Sequence, residues 1–304
     1  MAEKCMHCTK KAIFKHETGY LCRNHFIKYI KQKVFKTIRL NELIVPGDKV
    51  AVGFSGGKDS AVVLYLLKEY CSKRNINLVA IHIDEGISKT HNKIMKIVND
   101  FCKKHEIELY NFTFIDEYNK TFDEVVKKKP ETIPCTMCGI LRRNLINKKA
   151  RELKITKLAT GHNLSDEAQT LMMNAFQNKP ELIARSGMMP GIIKDKKFIP
   201  RIKPLYFVKE EEVKLFAKLL KLNIPNIKCP YSSRSLRFQV KDHLEQLSKR
   251  FTHITSNIVR FNLQIKEMVQ DKYKEQKLSK CSVCGEPSNK KICNKCLLLR
   301  ELEK

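Results

Sequence analysis

The 304-residue sequence lacks long apolar runs. No stretch comes near the ~18 consecutive apolar residues that a membrane-spanning helix requires. The opening residues, MAEKCMHCTKKA, contain no apolar segment of signal-peptide length. These absences argue against the membrane-spanning and secreted classes and predict a cytoplasmic location.

Acidic residues are also few, and the chain is strongly basic as a result. It has 59 Lys and Arg against 32 Asp and Glu, a formal net charge of +27. Such an excess attracts polyanions at long range, so nucleic acid is the expected partner. A proteome that is basic throughout, or a surface adapted to salt, is the alternative that charge alone leaves open.

Twelve cysteines in a chain expected in the cytosol favour metal or redox chemistry over disulfides. Two sets have the paired spacing of structural zinc sites, and unligated thiols at chance spacing are the weaker interpretation. The first set, CMHC and CRNH, offers Cys5, Cys8, Cys22 and His25, and the second, CSVC and CNKC, offers Cys281, Cys284, Cys293 and Cys296. Four ligands close a tetrahedral zinc site, and segments this short and polar fold only with a metal.

Between the two sets, short apolar strand candidates alternate with helical stretches. The strand candidates are KVAVGF, LVAIHID, IELYNFTF and KLATGH. This alternation predicts an α/β fold, a doubly wound parallel sheet with helices on both faces. Sites in such sheets lie at the carboxyl ends of the strands.

The rest of the chain is expected to be helical around one loop region. A basic amphipathic helix follows the first zinc set. Residues 180–208, rich in Pro, Gly and Lys, are predicted to form a loop region, and helices are predicted at 209–221, 239–250 and 255–270. We therefore predict three parts, with a zinc module in 1–30, a catalytic domain in 31–275 with a helical carboxyl part, and a second zinc module in 276–304.

The segment SGGKDS follows the first strand candidate, which ends with Gly53, and precedes a helix, as a phosphate-binding loop does. Gly56 and Gly57 let successive amides point at one anion, and the following helix adds its positive end. Ser55 and Ser60 supply hydroxyl donors, and Lys58 supplies charge. The spacing is not that of a Walker A loop. SGGKDS resembles instead the PP-loop of ATP pyrophosphatases, which cleave ATP between the α and β phosphates and activate a substrate as its adenylate.

Two further segments lie where a PP-loop enzyme would need them. In HIDEGI, the resemblance implies backbone contacts from Ile83 to the adenine. In TGHNLSDE, relatives use the residues equivalent to Gly161 and Asp166 for ATP and Mg²⁺. Asp59 and Asp166 are the magnesium candidates, because a hard cation prefers carboxylate oxygens. His162 in the same segment is interpreted as a structural histidine.

Five cysteines remain outside the two zinc sets. Cys71 and Cys102 sit late in amphipathic helices and are predicted to be buried small hydrophobes. Cys135 and Cys138 have the chelating spacing of PCTMCG, and Cys229 precedes a proline. Three cysteines can ligate three irons of a 4Fe-4S cluster and leave the fourth open. From the residues alone, a redox trio with a persulfide and a resolving thiol is the rival.

The order of these motifs along nearly the whole chain resembles the tRNA 2-thiolation proteins of the TtuA type, especially the archaeal and eukaryotic cytoplasmic branch that thiolates the wobble uridine. The resemblance implies that ATP activates the C2 oxygen of a tRNA uridine, and that Cys135, Cys138 and Cys229 bind a 4Fe-4S cluster carrying the incoming sulfur. Catalytic roles then fall to these cysteines and to Lys58, Asp59 and Asp166. Relatives imply a homodimer. The sequence leaves the sulfur donor open among free sulfide, a thiocarboxylated ubiquitin-like protein and a persulfide.

One departure and three alternatives remain. Some relatives that modify the T-loop uridine have lysine where this chain has Arg142, and a proton-transferring role cannot pass to arginine, which stays protonated. Arg142 and Arg143 are then predicted to contact anions, and the general acid is unassigned. The alternatives are a tRNA 2-thiocytidine synthase of the TtcA type, a persulfide-using PP-loop thiolase without a cluster, and a non-catalytic, zinc-dependent RNA-binding scaffold.

Overall fold

Strands and helices alternate through most of the chain. The computed structural model describes residues 3–191, 195–232, 236–273 and 279–303. In that part of the chain the strands are β1 Phe14–His16, β2 Gly19–Leu21, β3 Lys49–Gly53, β4 Asn77–Asp84, β5 Glu108–Thr113, β6 Lys157–Ala159, β7 Arg201–Ile202, β8 Ser279–Lys280 and β9 Pro287–Ser288. The helices are α1 Arg23–Leu40, α2 Lys58–Ser72, α3 His91–Lys104, α4 Phe114–Tyr118, α5 Phe122–Lys128, α6 Pro134–Glu152, α7 Leu164–Phe176, α8 Pro180–Ala184, α9 Glu210–Leu219, α10 Leu236–Arg250, α11 Ile254–Asp271 and α12 Asn294–Glu303.

The central sheet has five strands in the order β5-β4-β3-β6-β7, and every neighbouring pair is parallel. Val52 of β3 lies opposite Ala80 of β4 and Ala159 of β6. The chain runs outward from β3 to β5 and then returns to the other side of β3 with β6. The carboxyl ends of β3 and β6 therefore flank the switch point at which open α/β sheets bind ligands. The predicted parallel sheet is confirmed.

Alternate residues of the strands face opposite sides of the sheet, and each side has its own core. Val50 and Val52 pack in one hydrophobic cluster with residues of α1, α2, α3 and α9. Ala51 and Val79 pack in a second cluster with residues of α5, α6 and α12. The period of two in a strand dictates this division. The predicted helices on both faces are confirmed.

A third cluster joins the later helices to the sheet domain. Leu164 and Ala168 of α7 pack with Val240 and Leu244 of α10 and with Val259 of α11. The helices predicted at 209–221, 239–250 and 255–270 correspond to α9, α10 and α11. The region 180–208, predicted to be a loop, also contains α8 and the edge strand β7. Elements of two to five residues are too short to give a periodic signal.

Small hairpins carry both terminal cysteine sets, namely β1–β2 and β8–β9. The predicted boundary at residue 30 lies within the continuous helix α1, and the boundary between 275 and 276 lies outside the described residues. The division into three parts stays a prediction. Among the helices that the structure describes, none is both long and apolar enough to cross a membrane.

Candidate active site

The SGGKDS loop joins β3 to α2 and is held in shape by its own serines. Ser60 Oγ donates to Gly57 O at 2.9 Å and lies 3.2 Å from Ser55 Oγ. Gly56 has a φ of +74°, a left-handed conformation that favours glycine. Helix α2 begins at Lys58, and Gly57 gives it no side-chain cap. The first amides of α2 therefore remain available as donors to an anion.

The loop after β6 packs directly on the SGGKDS loop. A Cβ on Gly161 would lie 2.8 Å from Ser60 N and 2.9 Å from Asp59 C, so a larger residue cannot fit without displacing backbone. Asn163 Nδ2 donates to Asp59 Oδ1 at 3.1 Å and ties the two loops together. Gly53 is also confined, since its Cβ would meet a side chain of α6 at 3.2 Å. The structure thus brings the two predicted ATP motifs into contact.

Two carboxylates lie beside Lys58, and a third, that of Asp166, lies near both of them. Lys58 Nζ lies 2.7 Å from Asp59 Oδ2 and 3.4 Å from Glu210 Oε1. Asp166 Oδ2 accepts a hydrogen bond from Asn163 N at 3.1 Å in the capping box of α7. Enclosure by protein raises the pKa of Asp166, and the nearby charges of Asp59 and Glu210 raise it further. A divalent cation would relieve this repulsion, and carboxylate oxygens suit Mg²⁺, so the residues fit the predicted ion.

Glu210 is a site residue that sequence reasoning missed. It stands at the start of α9, and its carboxylate also lies 3.1 Å from the ammonium groups of Lys214 and Lys241. Burial alone would raise the pKa of Glu210, but Lys58 and the other two lysines lower it to about 2. Glu210 begins an EEE run of the kind common at exposed helix starts, so no sequence signal distinguishes it.

Ile83 lies at the carboxyl end of β4, next to the end of β3. Its side chain is buried, and the next residue, Asp84, accepts a hydrogen bond from Gly86 N at 3.0 Å. Asp84 Oδ2 also lies 2.8 Å from His91 Nδ1. The predicted adenine position is therefore at the same edge of the sheet as the SGGKDS loop. The backbone contact from Ile83 to adenine stays a prediction.

Cys135, Cys138 and Cys229 meet from two segments of the chain. The first two lie in the opening turn of α6, and the third lies between α9 and α10. Cys135 Sγ is 3.9 Å from Tyr231 O, and Tyr231 in turn donates to Asp123 Oδ1 at 2.7 Å. The thiols of Cys135 and Cys229 are exposed, and that of Cys138 is half-buried. The structure therefore brings the predicted trio together at the open side of the cleft.

The trio is more widely spaced than either of the two terminal cysteine sets. In the described part of the chain, the trio is not among the groups whose ligand atoms all lie within 4.8 Å of one another. A cluster that takes one thiolate on each of three irons needs ligands that lie further apart than a single ion does. Burial, with smaller contributions from Glu85, Cys229 and Cys135, raises the pKa of Cys138 to about 12.

The two remaining cysteines are buried in the core as predicted. Cys71 and Cys102 belong to the cluster of apolar residues on one face of the sheet. Burial raises the pKa of Cys71 to about 12 and that of Cys102 to about 11. Both thiols are therefore inert small hydrophobes.

Arg142, Arg143 and Arg201 lie close to one another, and Arg142 lies near both Cys138 and His162. Arg142 Nη1 lies 3.3 Å from Glu85 Oε1. Among the described residues, this is the one ion pair between a carboxylate and any of the three arginines. Burial, then Arg143 and Arg142, lower the pKa of Arg201 to about 10. Protein enclosure and neighbouring cations, Arg142 and Arg201 among them, lower the pKa of His162 to about 3. His162 is therefore neutral at physiological pH in a cleft with a strong positive potential, and sequence reasoning missed Arg201.

The terminal sets are compact in the way that a single ion requires. The four ligand atoms of each set lie within 4.8 Å of one another. In the first set, His25 Nδ1 is 3.3–3.6 Å from the three sulfurs. In the second, the backbone amides of Val283 and Cys293 donate to Cys281 Sγ. Each set could hold one tetrahedral metal ion. The first set is Cys5, Cys8, Cys22 and His25, and the second is Cys281, Cys284, Cys293 and Cys296.

The second terminal set is docked on α6. Arg151 makes a bidentate pair with Glu286 at 2.5 and 3.0 Å, and Lys197 Nζ donates to Gly285 O at 2.7 Å. Leu298 and Leu302 of α12 are buried in the core cluster that also contains α6. The helix that begins with Cys135 and Cys138 is thus fixed at its far end by the second cysteine set.

Comparison with known proteins gives consistent matches. The PP-loop domain family matches residues 27–226. A Pyrococcus horikoshii protein named tRNA-5-methyluridine(54) 2-sulfurtransferase is 33% identical over 295 residues, which cover 96% of this chain and 92% of the relative. The Xenopus laevis cytoplasmic tRNA 2-thiolation protein 1 is 30% identical over 312 residues, which cover 100% of this chain and 89% of the relative.

A solved structure matches over nearly the whole length. It is the U34-tRNA thiolase NcsA from Methanococcus maripaludis with its 4Fe-4S cluster. It has a TM-score of 0.84 and 34% sequence identity, with 99% of this chain and 97% of that chain covered. The similarity therefore includes both terminal hairpins as well as the central sheet.

Proposed function

Because the chain belongs to the PP-loop family of tRNA 2-thiolation enzymes, we propose that it replaces the C2 oxygen of a tRNA uridine by sulfur at the expense of ATP. The expected target is the wobble uridine at position 34, the site in the name of the matched solved structure. The sulfur is carried by a 4Fe-4S cluster. The enzyme is a tRNA sulfurtransferase.

The single observation that carries this proposal is the shared cleft. The SGGKDS loop and the cysteine trio open on the same edge of the sheet. His162, beside the ATP loops, lies close enough to Arg142 for that charge to lower the pKa of the imidazole. Arg142 is one turn beyond Cys138 on α6. A nucleotide at one end and a sulfur carrier at the other can therefore act on one base between them.

The ATP end prepares the uridine for substitution. A uracil carbonyl is a poor electrophile, and its oxygen is a poor leaving group. When the C2 oxygen attacks the α-phosphorus of ATP, pyrophosphate leaves and the oxygen becomes part of an AMP leaving group. Lys58 and the amides at the start of α2 stabilise the charge that develops on the phosphates. Asp59 and Asp166 would hold a Mg²⁺ ion, which would add positive charge there. The proposed nucleotide site is completed by Gly53, Ser55, Gly56, Gly57, Ser60, Ile83 and Gly161.

The cysteine end holds the sulfur carrier. Cys135, Cys138 and Cys229 would bind the cluster, which supplies an iron without a protein ligand at which sulfur can be carried. Tyr231, anchored to Asp123, holds the segment that contains Cys229 against α5. Arg142 and Arg143 stay available to contact the phosphates of AMP or tRNA. The target base must leave its loop stack to reach this end.

The terminal cysteine sets are proposed to hold one structural Zn²⁺ each. Closed four-ligand sites leave no position for a substrate. Metal analysis of anaerobically purified protein should find about two zinc ions per chain. Protein with both sites empty and an unchanged melting temperature would contradict a structural role.

The remaining assignments concern partners. We propose that tRNA binds through the basic surface, that sulfur arrives as sulfide or from a thiocarboxylated ubiquitin-like protein, and that the enzyme is a cytoplasmic homodimer. The word cytoplasmic in the name of the Xenopus relative supports the location. A net charge of +27 supports electrostatic binding of a polyanion.

Nucleoside mass spectrometry of tRNA from a deletion strain tests the function. The 2-thiouridine derivatives at position 34 should disappear and return when the gene is restored. Loss of thiolated uridine at position 54 instead would reassign the target. Loss of 2-thiocytidine would favour the cytidine-thiolating alternative. Unchanged tRNA would overturn the enzymatic assignment.

A further inference from the structure

We propose that Lys241 of α10 binds the pyrophosphate part of ATP together with Lys58, and that Glu210 orients both lysines. The inference rests on the proposed function, since it takes the SGGKDS loop as the ATP site. It places residues of the helices α9 and α10 in the ATP site, and these residues belong to no phosphate-loop motif.

The geometry joins the two lysines through one oxygen. Glu210 Oε1 lies 3.4 Å from Lys58 Nζ and 3.2 Å from Lys241 Nζ. Both ammonium groups therefore converge on the same point at the mouth of the SGGKDS loop. Their side chains are 28% and 40% exposed, so each can turn toward a ligand in the cleft without leaving the surface of the protein.

A third lysine lets Glu210 release the other two. Lys214 Nζ lies 3.1 Å from Glu210 Oε1 one helical turn along α9. When Lys58 and Lys241 turn toward phosphate, Glu210 still keeps a cationic partner. Lys214 is the most exposed of the three, at 56%. Lys241 stands one turn beyond Arg237, the residue of α10 that contacts Asp166 O, whereas Lys214 lies one turn further along α9 from Glu210. Lys214 therefore serves Glu210, whereas Lys241 faces the site.

Helix α10 holds Lys241 in this position. Arg237, one turn earlier, donates from Nη2 to Thr170 Oγ1 at 2.9 Å, and its Nη1 lies 3.5 Å from Asp166 O. Val240 and Leu244 are buried against α7 on either side of Lys241 in sequence. These contacts fix the backbone of α10 beside the magnesium candidate Asp166, so the lysine is presented by a rigid element.

The chemistry calls for a second cation at this point. When the bond between the α and β phosphates breaks, the leaving pyrophosphate takes the electron pair of that bond and gains negative charge. Lys58 is already shared with Asp59 at 2.7 Å. A second ammonium group on the pyrophosphate stabilises the departing charge, and this stabilisation is absent for AMP, which lacks those phosphates.

Ligand binding to the full-length, anaerobically purified protein tests the inference, with Mg²⁺ present and calorimetry as the readout. The probes are ATP, inorganic pyrophosphate and AMP. Lys241→Gln should weaken ATP and pyrophosphate binding about tenfold, the loss expected for one charge-assisted hydrogen bond, and should leave AMP binding within about twofold. Lys241→Arg should recover most of the loss because it keeps the charge.

Lys214→Gln is the matched control, since it removes a lysine from the same carboxylate. It should change the affinity of all three ligands by less than about threefold. Equal losses for AMP and ATP in Lys241→Gln, or an equal loss of ATP binding in Lys214→Gln, would overturn the role of Lys241. Failure of the wild type to bind ATP would instead overturn the proposed function.

Discussion

The two ends of the cleft are built differently. At the ATP end, backbone and side chains of two loops are locked together, with Gly161 against the backbone of Asp59 and Asn163 bonded to the Asp59 carboxylate. At the cysteine end, Cys135 and Cys229 are exposed, and Cys135 Sγ makes a contact of 3.9 Å with Tyr231 O. The polypeptide alone shapes the first end. The second is expected to gain cohesion from the cluster proposed to bind there.

The largest effect is expected when the cysteine end is broken alone. Replacing Cys135, Cys138 or Cys229 by Ser should reduce thiolation to background and remove bound iron, since each loss deprives the cluster of one of three protein ligands. ATP affinity should stay within about twofold, because the ATP end does not depend on these thiols. Iron analysis, calorimetry with ATP and a thiolation assay together check this separation.

A persulfide mechanism would give a different pattern for the same three variants. One cysteine would be indispensable and a resolving cysteine would be replaceable in single-turnover assays with pre-loaded sulfur. Full multiple-turnover activity in colourless, iron-free wild-type protein would contradict the cluster assignment.

Substitution of a residue at the ATP end should reduce the thiolation rate less than loss of a cluster cysteine does. Lys58→Ala should lower the thiolation rate by about 10²–10³-fold, the range for loss of one preorganised electrostatic group. The protein should keep its iron, and its affinity for tRNA should be nearly unchanged because the proposed ligand of the lysine is ATP. A parallel loss of tRNA affinity, measured by filter binding, would show that Lys58 is part of the RNA surface instead.

The preformed packing of the ATP end can be tested at Gly161. In Gly161→Ala the new methyl group would press on backbone atoms of Asp59 and Ser60. We expect a loss of about 1–3 kcal/mol of stability, the usual range for overpacking, and weaker ATP binding with unchanged iron content. Gly191→Ala is a control for adding a methyl group in open space, although its φ of +125° adds backbone strain. A Gly161→Ala protein with wild-type melting and ATP affinity would contradict the tight fit.

The smallest effect is expected from the charge of Asp166. Its pKa is raised in the folded protein above the ordinary value of 3.8. At pH values above 3.8 the carboxyl group therefore lowers the stability of the folded state, because folding disfavours its ionised form. Asp166→Asn should therefore raise the melting temperature by a few degrees at pH 7 without Mg²⁺, while thiolation falls. The gain should shrink as the pH falls toward that ordinary value, and also when Mg²⁺ is added. A lower melting temperature would mean that the capping role of the carboxylate outweighs the repulsion.

The sequence predicted what depends on local pattern. β3, β4, β5 and β6 were identified because apolar runs end at a change of period, and the two ATP motifs lie at the ends of β3 and β6, where the fold requires them. The ligand sets at both termini followed from spacing. These features depend on residues that are close together in the chain.

What the sequence could not predict depends on tertiary placement. Glu210, Lys241 and Arg201 carry no motif, and one lysine among the 59 basic residues gives no signal of its own. β7 has two residues and owes its pairing to β6. The residue type of Arg142 was enough to predict contact with an anion. Its partner Glu85 could not be predicted, because it lies 57 positions earlier in sequence and becomes a neighbour through the fold.

The docking of α12 on α6 has a consequence for how the enzyme matures. Leu298 and Leu302 are buried in the same core cluster as Met137, Leu141 and Leu145, which lie along the helix that starts with two cysteines. During synthesis the far end of α6 lacks this support until residues 294–303 have left the ribosome. Iron delivered earlier would meet a helix whose packing is incomplete. We therefore expect cofactor insertion to be a post-translational event, so that nascent chains ending before α12 acquire no iron.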